Sequence, residues 1–174
     1  MRAHPDITEF QRKHPIKIMP PASDALKKKM HDAVAWRAFR LYEARGCSRG
    51  NATEDWRQAE EEVVRPLDCG EIVQDHRDCL TTDVSCFGPG TLEIWVEPQR
   101  ITLCGPRPSQ PLNRAVESQA GISQENWIFR THDLSTKVDS AELTVRFNGP
   151  ALHIYLRRAL PAGKKEEAEL AHAA

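Results

Sequence analysis

TLEIWVEPQRITLCG, residues 91–105, decides the fold. Leu92, Ile94 and Val96 alternate with Glu93, Trp95 and Glu97, and after the turn Pro98-Gln99-Arg100 the apolar Ile101 and Leu103 alternate with Thr102 and Cys104. A period of two sends successive side chains to opposite faces, so the block reads as a pair of half-buried antiparallel strands. Residues 126–157 (NWIFRTHDLSTKVDSAELTVRFNGPALHIYLR) repeat the pattern. Trp127 and Phe129 alternate with Ile128 and Arg130; Leu143, Val145 and Phe147 with Thr144 and Arg146; Leu152, Ile154 and Leu156 with His153, Tyr155 and Arg157. Asn148-Gly149-Pro150 supplies a tight connection between the last two. Leu80 to Phe87 is a further candidate strand. Several short strands within roughly 85 residues favour a sandwich.

Ahead of the strands the register changes to helical spacing. Val34, Ala35, Ala38, Leu41 and Tyr42, with Trp36 and Phe39 beside them, predict an amphipathic helix from about Asp24 to Arg45, with Ser23 as N-cap and Gly46 as C-cap. A second helix starting near Thr53 places Trp56, Ala59 and Val63 on one face and ends before Pro66. The two form a hairpin whose small core is expected from Trp36, Phe39, Tyr42 and Trp56. So short a unit buries little alone and is expected to dock on a neighbour or a partner. The fold class is α+β: an N-terminal helical hairpin over 23–66, then an antiparallel immunoglobulin-like β-sandwich over 72–158. Flexible tails are expected at 1–22 and 159–174, and Pro106 to Gln124 is irregular.

At 174 residues, 40% hydrophobic and 28% charged, the chain holds one modest core plus a satellite. No apolar run approaches the roughly 18 residues of a membrane span, and MRAHPDITEF lacks a signal-peptide core, so a cytoplasmic, bacterial-type protein is expected, with no membrane partner. Cys47, Cys69, Cys79, Cys86 and Cys104 form an odd set without a Cys-x-x-Cys pair, which fits reduced thiols. Residues 1–50 carry 11 Lys and Arg against 5 Asp and Glu, and the rest 13 against 20. The basic part, with Lys27-Lys28-Lys29 and Arg37, Arg40 and Arg45, reads first as a solvated helix face and second as a nucleic-acid surface.

Cys69, His76, Cys79 and Cys86 are the one metal-like grouping, but Cys79 and Cys86 are an odd number of residues apart and fall on opposite faces of a strand, so no metal is expected. His132-Asp133 and His153 lack a serine in a nucleophile elbow, and there is no P-loop, so neither an enzyme nor a cofactor is expected. Ile16-Lys17-Ile18, between Pro15 and Met19-Pro20, sets two branched side chains on one side of an extended segment, suited to paired pockets at a sheet edge.

Residues of about 75–158 resemble the small heat-shock proteins with an α-crystallin domain. The resemblance is carried by Ile101-Thr102-Leu103-Cys104-Gly105 for the family's Leu-x-Ile-x-Gly, by Phe129 to Leu134 with Val138-Asp139, and by Asn148-Gly149-Pro150-Ala151-Leu152-His153-Ile154-Tyr155-Leu156 for its closing strand. Ser135 stands where the family has Pro, Pro150-Ala151-Leu152 replace Gly-Val-Leu, and Arg157-Arg158 replace Pro-Lys. The resemblance implies an α-crystallin-like sandwich and an ATP-independent holdase that responds to stress. It also implies partly unfolded protein clients, a groove bordered by Ile94, Val96, Val145 and Phe147, and a homo-oligomer, dimer or larger. In the family an Ile-x-Ile segment, usually C-terminal, adds into a neighbour's groove; here Ile16 and Ile18 either do this from the other end or pack on their own sandwich. Family members that exchange a strand between partners carry it in the segment matching 106–124, where only Asn113 to Glu117 reads as a strand. Leu41-Tyr42-Glu43-Ala44-Arg45-Gly46 and Asp55-Trp56-Arg57-Gln58-Ala59-Glu60 resemble a small bacterial domain family without assigned activity. The alternatives are a protein–protein adaptor whose hairpin docks a specific partner, and nucleic-acid binding through the basic front.

Overall fold

In the computed structural model, residues 11–19, 23–74, 77–108 and 126–159 are described. The elements run β1 (Ile16–Met19), α1 (Ser23–Ala44), α2 (Ala52–Val63), β2 (Val64–Pro66), β3 (Cys69–Gln74), β4 (Arg77–Asp83), β5 (Leu92–Glu97), β6 (Arg100–Pro106), β7 (Trp127–Asp133), β8 (Val138–Asn148) and β9 (Ala151–Arg158). Two sheets face each other, one ordered β1-β5-β6-β7-β2 and the other β3-β4-β9-β8. Leu80, Leu92, Ile94, Val96, Ile101, Leu103, Leu152, Ile154 and Leu156 fill the space between them. Alternation therefore read the inward faces correctly. Gly105 sits where a Cβ would lie 2.6 Å from Leu92 Cδ2, so the strand passes this layer only without a side chain.

The outward face of the first sheet departs from expectation. Every residue from Leu92 to Val96 and from Ile101 to Gly105 is buried, because the hairpin lies on that face. Leu26, Ala33 and Val34 of α1 and Ala59 and Val63 of α2 pack on Trp95, Cys104, Trp127 and Phe129. The hairpin's apolar stripe thus docks on its own sandwich. The expected aromatic core is corrected in part: Trp36 and Tyr42 are half-buried and Phe39 is 56% exposed, whereas Trp56 packs on the hairpin–sheet cluster with its ring 5.1 Å from that of His31, and mostly small residues form the buried contact. Small side chains let the helices approach the sheet, where the large rings already stand on the strands.

The hairpin's ends are fixed by local chemistry. Gly46 takes φ 75°, its amide donates to Glu43 O and the Cys47 amide to Tyr42 O, a Schellman closure that satisfies the last carbonyls of α1. Arg45 then grips the buried Asp55 carboxylate with two N–H donors, joining the end of α1 to the start of α2.

Three further expectations change. Residues 16–19, read as tail, form β1, which adds in parallel to β5; β2, read as the end of the helical hairpin, adds in parallel to β7, so the first sheet is mixed rather than antiparallel. Both segments are too short to show a period. The sandwich also begins earlier, at β2 and β3, and the strand expected to run to Phe87 ends at Asp83. There the Asp83 side chain accepts the Ser85 amide and turns the chain so that Phe87 enters the core. The remainder of the expected N-terminal tail, 1–10, and the C-terminal tail from 160 lie outside the described residues, as does Asn113 to Glu117. The Gly149-Pro150 connection holds, with Asn148 opposite Ala151 and Gly149 at φ 62°.

Between hairpin and sheet lies a buried ion pair. Lys29 Nζ is 2.6 Å from Glu93 Oε2, with the side chains 11% and 7% exposed. Glu93 also accepts from Trp95 Nε1 and the Cys104 thiol, and the ammonium stands 3.6 Å from the Trp127 ring centroid. Burial, foremost, pushes the Cys104 thiol up to about 12, so it serves here as a neutral donor. Removing one partner of such a pair strands the other charge. Lys29→Met is therefore expected to cost on the order of 3 kcal/mol in denaturant unfolding, and adding Glu93→Gln to recover much of it; strictly additive losses would show that the pair does not anchor the hairpin.

Candidate functional site

The sandwich is open along one side, where β1 ends the first sheet and β8 ends the second. Parallel register sets Ile16 beside Leu92, Lys17 beside Glu93, Ile18 beside Ile94 and Met19 beside Trp95. The Leu92 amide donates to Pro15 O at 2.9 Å and the Gly90 amide to Lys13 O at 2.8 Å, so residues 13–19 satisfy the edge of β5. Because register partners share a face, Ile16 and Ile18 stand on the core side of the sheet. Ile16 is half-buried against the sandwich core, where Leu143, Val145 and Phe147 of β8 are half-buried too. Ile18 is 51% exposed.

Of the groove residues inferred from sequence, Ile94 and Val96 are fully inside the core and present nothing to a client while β1 is in place. Val145 and Phe147 line the open side. Within this chain Ile16 and Ile18 pair with β5 of their own sandwich, Ile16 half-buried and Ile18 exposed.

The other flank of β1 is loosely filled. A cavity of about 780 Å³ lies between α1 and the β1–β5 edge, lined by residues including Lys17, Met19, Lys28, Trp36, Glu93 and Trp95. The strand is thus four residues long, exposed at Lys17 and Ile18, half-buried at Ile16 and Met19, and bordered by an open cleft on its hairpin side. Half-burying Ile16 and Met19 contributes about 1 kcal/mol each, with edge hydrogen bonds adding about 1 kcal/mol each at most. Such an element opens at low free-energy cost compared with the core.

The polar groups singled out in the sequence are engaged in cross-strand ties. His132 Nε2 is 3.3 Å from Glu71, whose carboxylate also accepts the Ser135 hydroxyl at 2.7 Å. Asp133 pairs with Arg100 at 2.6 Å, and that hydrogen bond holds its carboxyl below the usual range. His153 Nδ1 is 3.0 Å from Thr81 Oγ1. Each of these groups thus has a partner on another strand or loop. Sequence reading missed Asp78, which is fully buried and held by Thr136 and by Arg158 at 3.0 Å. Its partners lie far along the chain, and nothing in the local pattern signals them. Among the described residues no group of three His, Cys, Asp or Glu is placed to hold a metal ion, and His76 lies outside them. Burial, foremost, raises the Cys69 and Cys86 thiols, which disfavours thiolate chemistry.

Five cations of the basic front have carboxylate partners. Lys28 pairs with Asp32, Lys29 with Glu93, Arg37 with Glu62, Arg40 with Glu43 and Arg45 with Asp55. Little net charge is left on that helix to follow a nucleic-acid backbone. Among the described residues no helix is long and apolar enough to cross a membrane.

Residues 30–64 match the family described as "Protein of unknown function (DUF2934)". The match spans the hairpin, and its quoted motif residues account for the Gly46 closure and the Arg45–Asp55 tie. No curated protein matches the chain in sequence. Among solved structures, heat shock protein 16.0 from Schizosaccharomyces pombe is similar at 13% identity and a TM-score of 0.43, over 58% of this chain and 72% of that one. HSP18.5 from E. histolytica is similar at 10% identity and 0.41, over 56% and 92%. A small heat-shock protein from Xylella fastidiosa is similar at 14% and 0.40, over 56% and 90%.

If β1 is held as weakly as its contacts indicate, hydrogen exchange of the amides of 16–19 and of Leu92 is expected to run at least about 100-fold faster than that of Thr102 and Leu103 in the same sheet. Equal protection would make β1 a fixed part of the sandwich.

Proposed function

We propose that the protein is an ATP-independent holdase that captures an extended apolar segment of a partly unfolded client at the β5 edge, in the place now taken by β1. The observation that carries this reading is the occupied edge itself: a four-residue strand, paired through its backbone, with Ile16 half-buried against the same core as the half-buried Leu143, Val145 and Phe147 of β8. Pairing by strand addition takes affinity from main-chain hydrogen bonds that any sequence supplies, and selects apolar side chains two apart for the core side. That is the chemistry of an unfolded chain with an alternating stretch. No reaction is needed, and the protein acts by binding.

The same exchange supports self-association, since a β1 released from its own β5 fits the β5 of another copy, and a homo-oligomer is part of the reading. The described cysteines are all free thiols, which fits a reducing compartment such as the cytoplasm.

A second reading rests on the aromatic residues that the hairpin does not bury. Phe39 is 56% exposed with the Tyr42 ring 6.2 Å away, and Trp36 is half-buried on the same helix. This surface suits a specific protein partner, and under that reading Phe39→Ser abolishes partner capture while leaving client holding intact.

In an assay of aggregation suppression, Ile16→Asp, which weakens the resident strand, is expected to raise activity severalfold, and Val145→Asp to abolish it with the fold intact by circular dichroism. Light scattering on the same variants reports assembly size. Unchanged suppression in both would remove the β5–β8 edge from the mechanism.

A further inference from the structure

The cleft beside β1 has one wall that the sandwich does not supply. Helix α1 carries two neighbouring stripes. Leu26, Ala33 and Val34 press on the first sheet. Ala25, Lys28, Asp32, Ala35 and Trp36, three and four residues apart and so on one side of the helix, stand across the cleft from the β1–β5 edge. On the strand side Met19 is the register partner of Trp95, and the two share the hairpin face: Trp95 is buried in the hairpin–sheet cluster and Met19 is half-buried against it. Both line the cleft. A residue held at the place of Met19 on β5 therefore directs its side chain toward α1, while the places of Ile16 and Ile18 face the sandwich core.

With Met19 in place the cleft still measures about 780 Å³, inside the range of about 300–1,000 Å³ over which clefts hold whole small ligands. Its charges are matched in pairs: Lys28 with Asp32 and Lys29 with Glu93, while Lys17 belongs to β1 and leaves with it. The vacated cleft thus carries no surplus charge to recruit an ionic side chain, and the two indoles of Trp36 and Trp95 offer aromatic surface instead. We propose that the client segment taken up at the β5 edge is selected on both faces: apolar residues at the places of Ile16 and Ile18, and an aromatic residue at the place of Met19, its ring entering the cleft between α1 and β5. This rests on the reading of β1 as a displaceable cover and names what displaces it. A segment with an aromatic ring at that place buries more area than the thioether chain of Met19 and so outcompetes β1 at the same backbone hydrogen bonds. The hairpin, through the cleft stripe of α1, sets client preference.

The test is fluorescence anisotropy of labelled peptides of residues 13–19, unaltered, with Met19→Trp and with Ile18→Trp, titrated with the full chain and with its Ile16→Asp variant. The Met19→Trp peptide is expected to bind about tenfold more tightly than the unaltered one, and the Ile18→Trp peptide to show no such gain. Filling the cleft from the helix side, by Ala35→Trp or by Lys28→Trp at its exposed rim, should erase the difference between the Met19→Trp and unaltered peptides. Equal binding of those two peptides, an equal gain from Ile18→Trp, or a difference that survives both filling variants overturns the aromatic preference while strand capture stands. Failure of every peptide to bind either chain removes strand capture itself, and the preference with it.

Discussion

Strand β5 is buried on both faces and paired on both edges, and the rest of the architecture is arranged around that constraint. Its inward residues Leu92, Ile94 and Val96 belong to the sandwich core, while Glu93 and Trp95 lie under the hairpin. A strand of this kind cannot leave a carboxylate toward the covering helix without a counter-charge, since an unpaired buried ion is among the costliest features in a fold. Lys29 answers that requirement from α1, 64 residues away, and in doing so fixes where along the sheet the helix lies. The apolar contact of Ala33, Val34, Ala59 and Val63 supplies area but little direction, whereas the ion pair and the Trp127 ring under the ammonium supply position.

The inward half of the fold was legible because the period of two is a local property: Ile101, Leu103, Leu152 and Ile154 announce their face within a few residues. The outward half was not, because Glu93, Trp95 and Cys104 look like a solvated face until Lys29 is placed opposite them. Likewise Trp36, Phe39 and Tyr42 look like a core by size, yet the helix turns its small residues to the sheet and leaves the rings outside. The Gly46 closure was readable, since a glycine after a helical run needs only its own φ to be explained. The site at the open edge was half readable. Ile16 and Ile18 could be singled out by spacing, but the sequence holds no signal for which β-edge accepts them, because edge pairing is made by backbone atoms that every residue carries.

The two ends of the first sheet are closed by the same device with different security. Both β1 and β2 are short parallel additions that remove free edge groups from β5 and β7 and so block uncontrolled pairing with other chains. β2 follows α2 without a break, beginning one residue after the fully buried Val63, and the chain beyond it is held by the Leu67 amide on Thr131 O at 2.7 Å. Releasing β2 would pull a core residue of the hairpin with it. β1 is held instead by half-buried Ile16 on the core and half-buried Met19 on the hairpin contact, and its hairpin side borders an open cleft of about 780 Å³. The proposed holding of a client requires an equilibrium between closed and open edges at β5, which the tie of β2 to the hairpin opposes at β7. On that proposal, a strand that both protects an edge and leaves it keeps a binding surface covered until a better-fitting segment competes, with the balance set by half-buried Ile16 and Met19 and a few backbone hydrogen bonds.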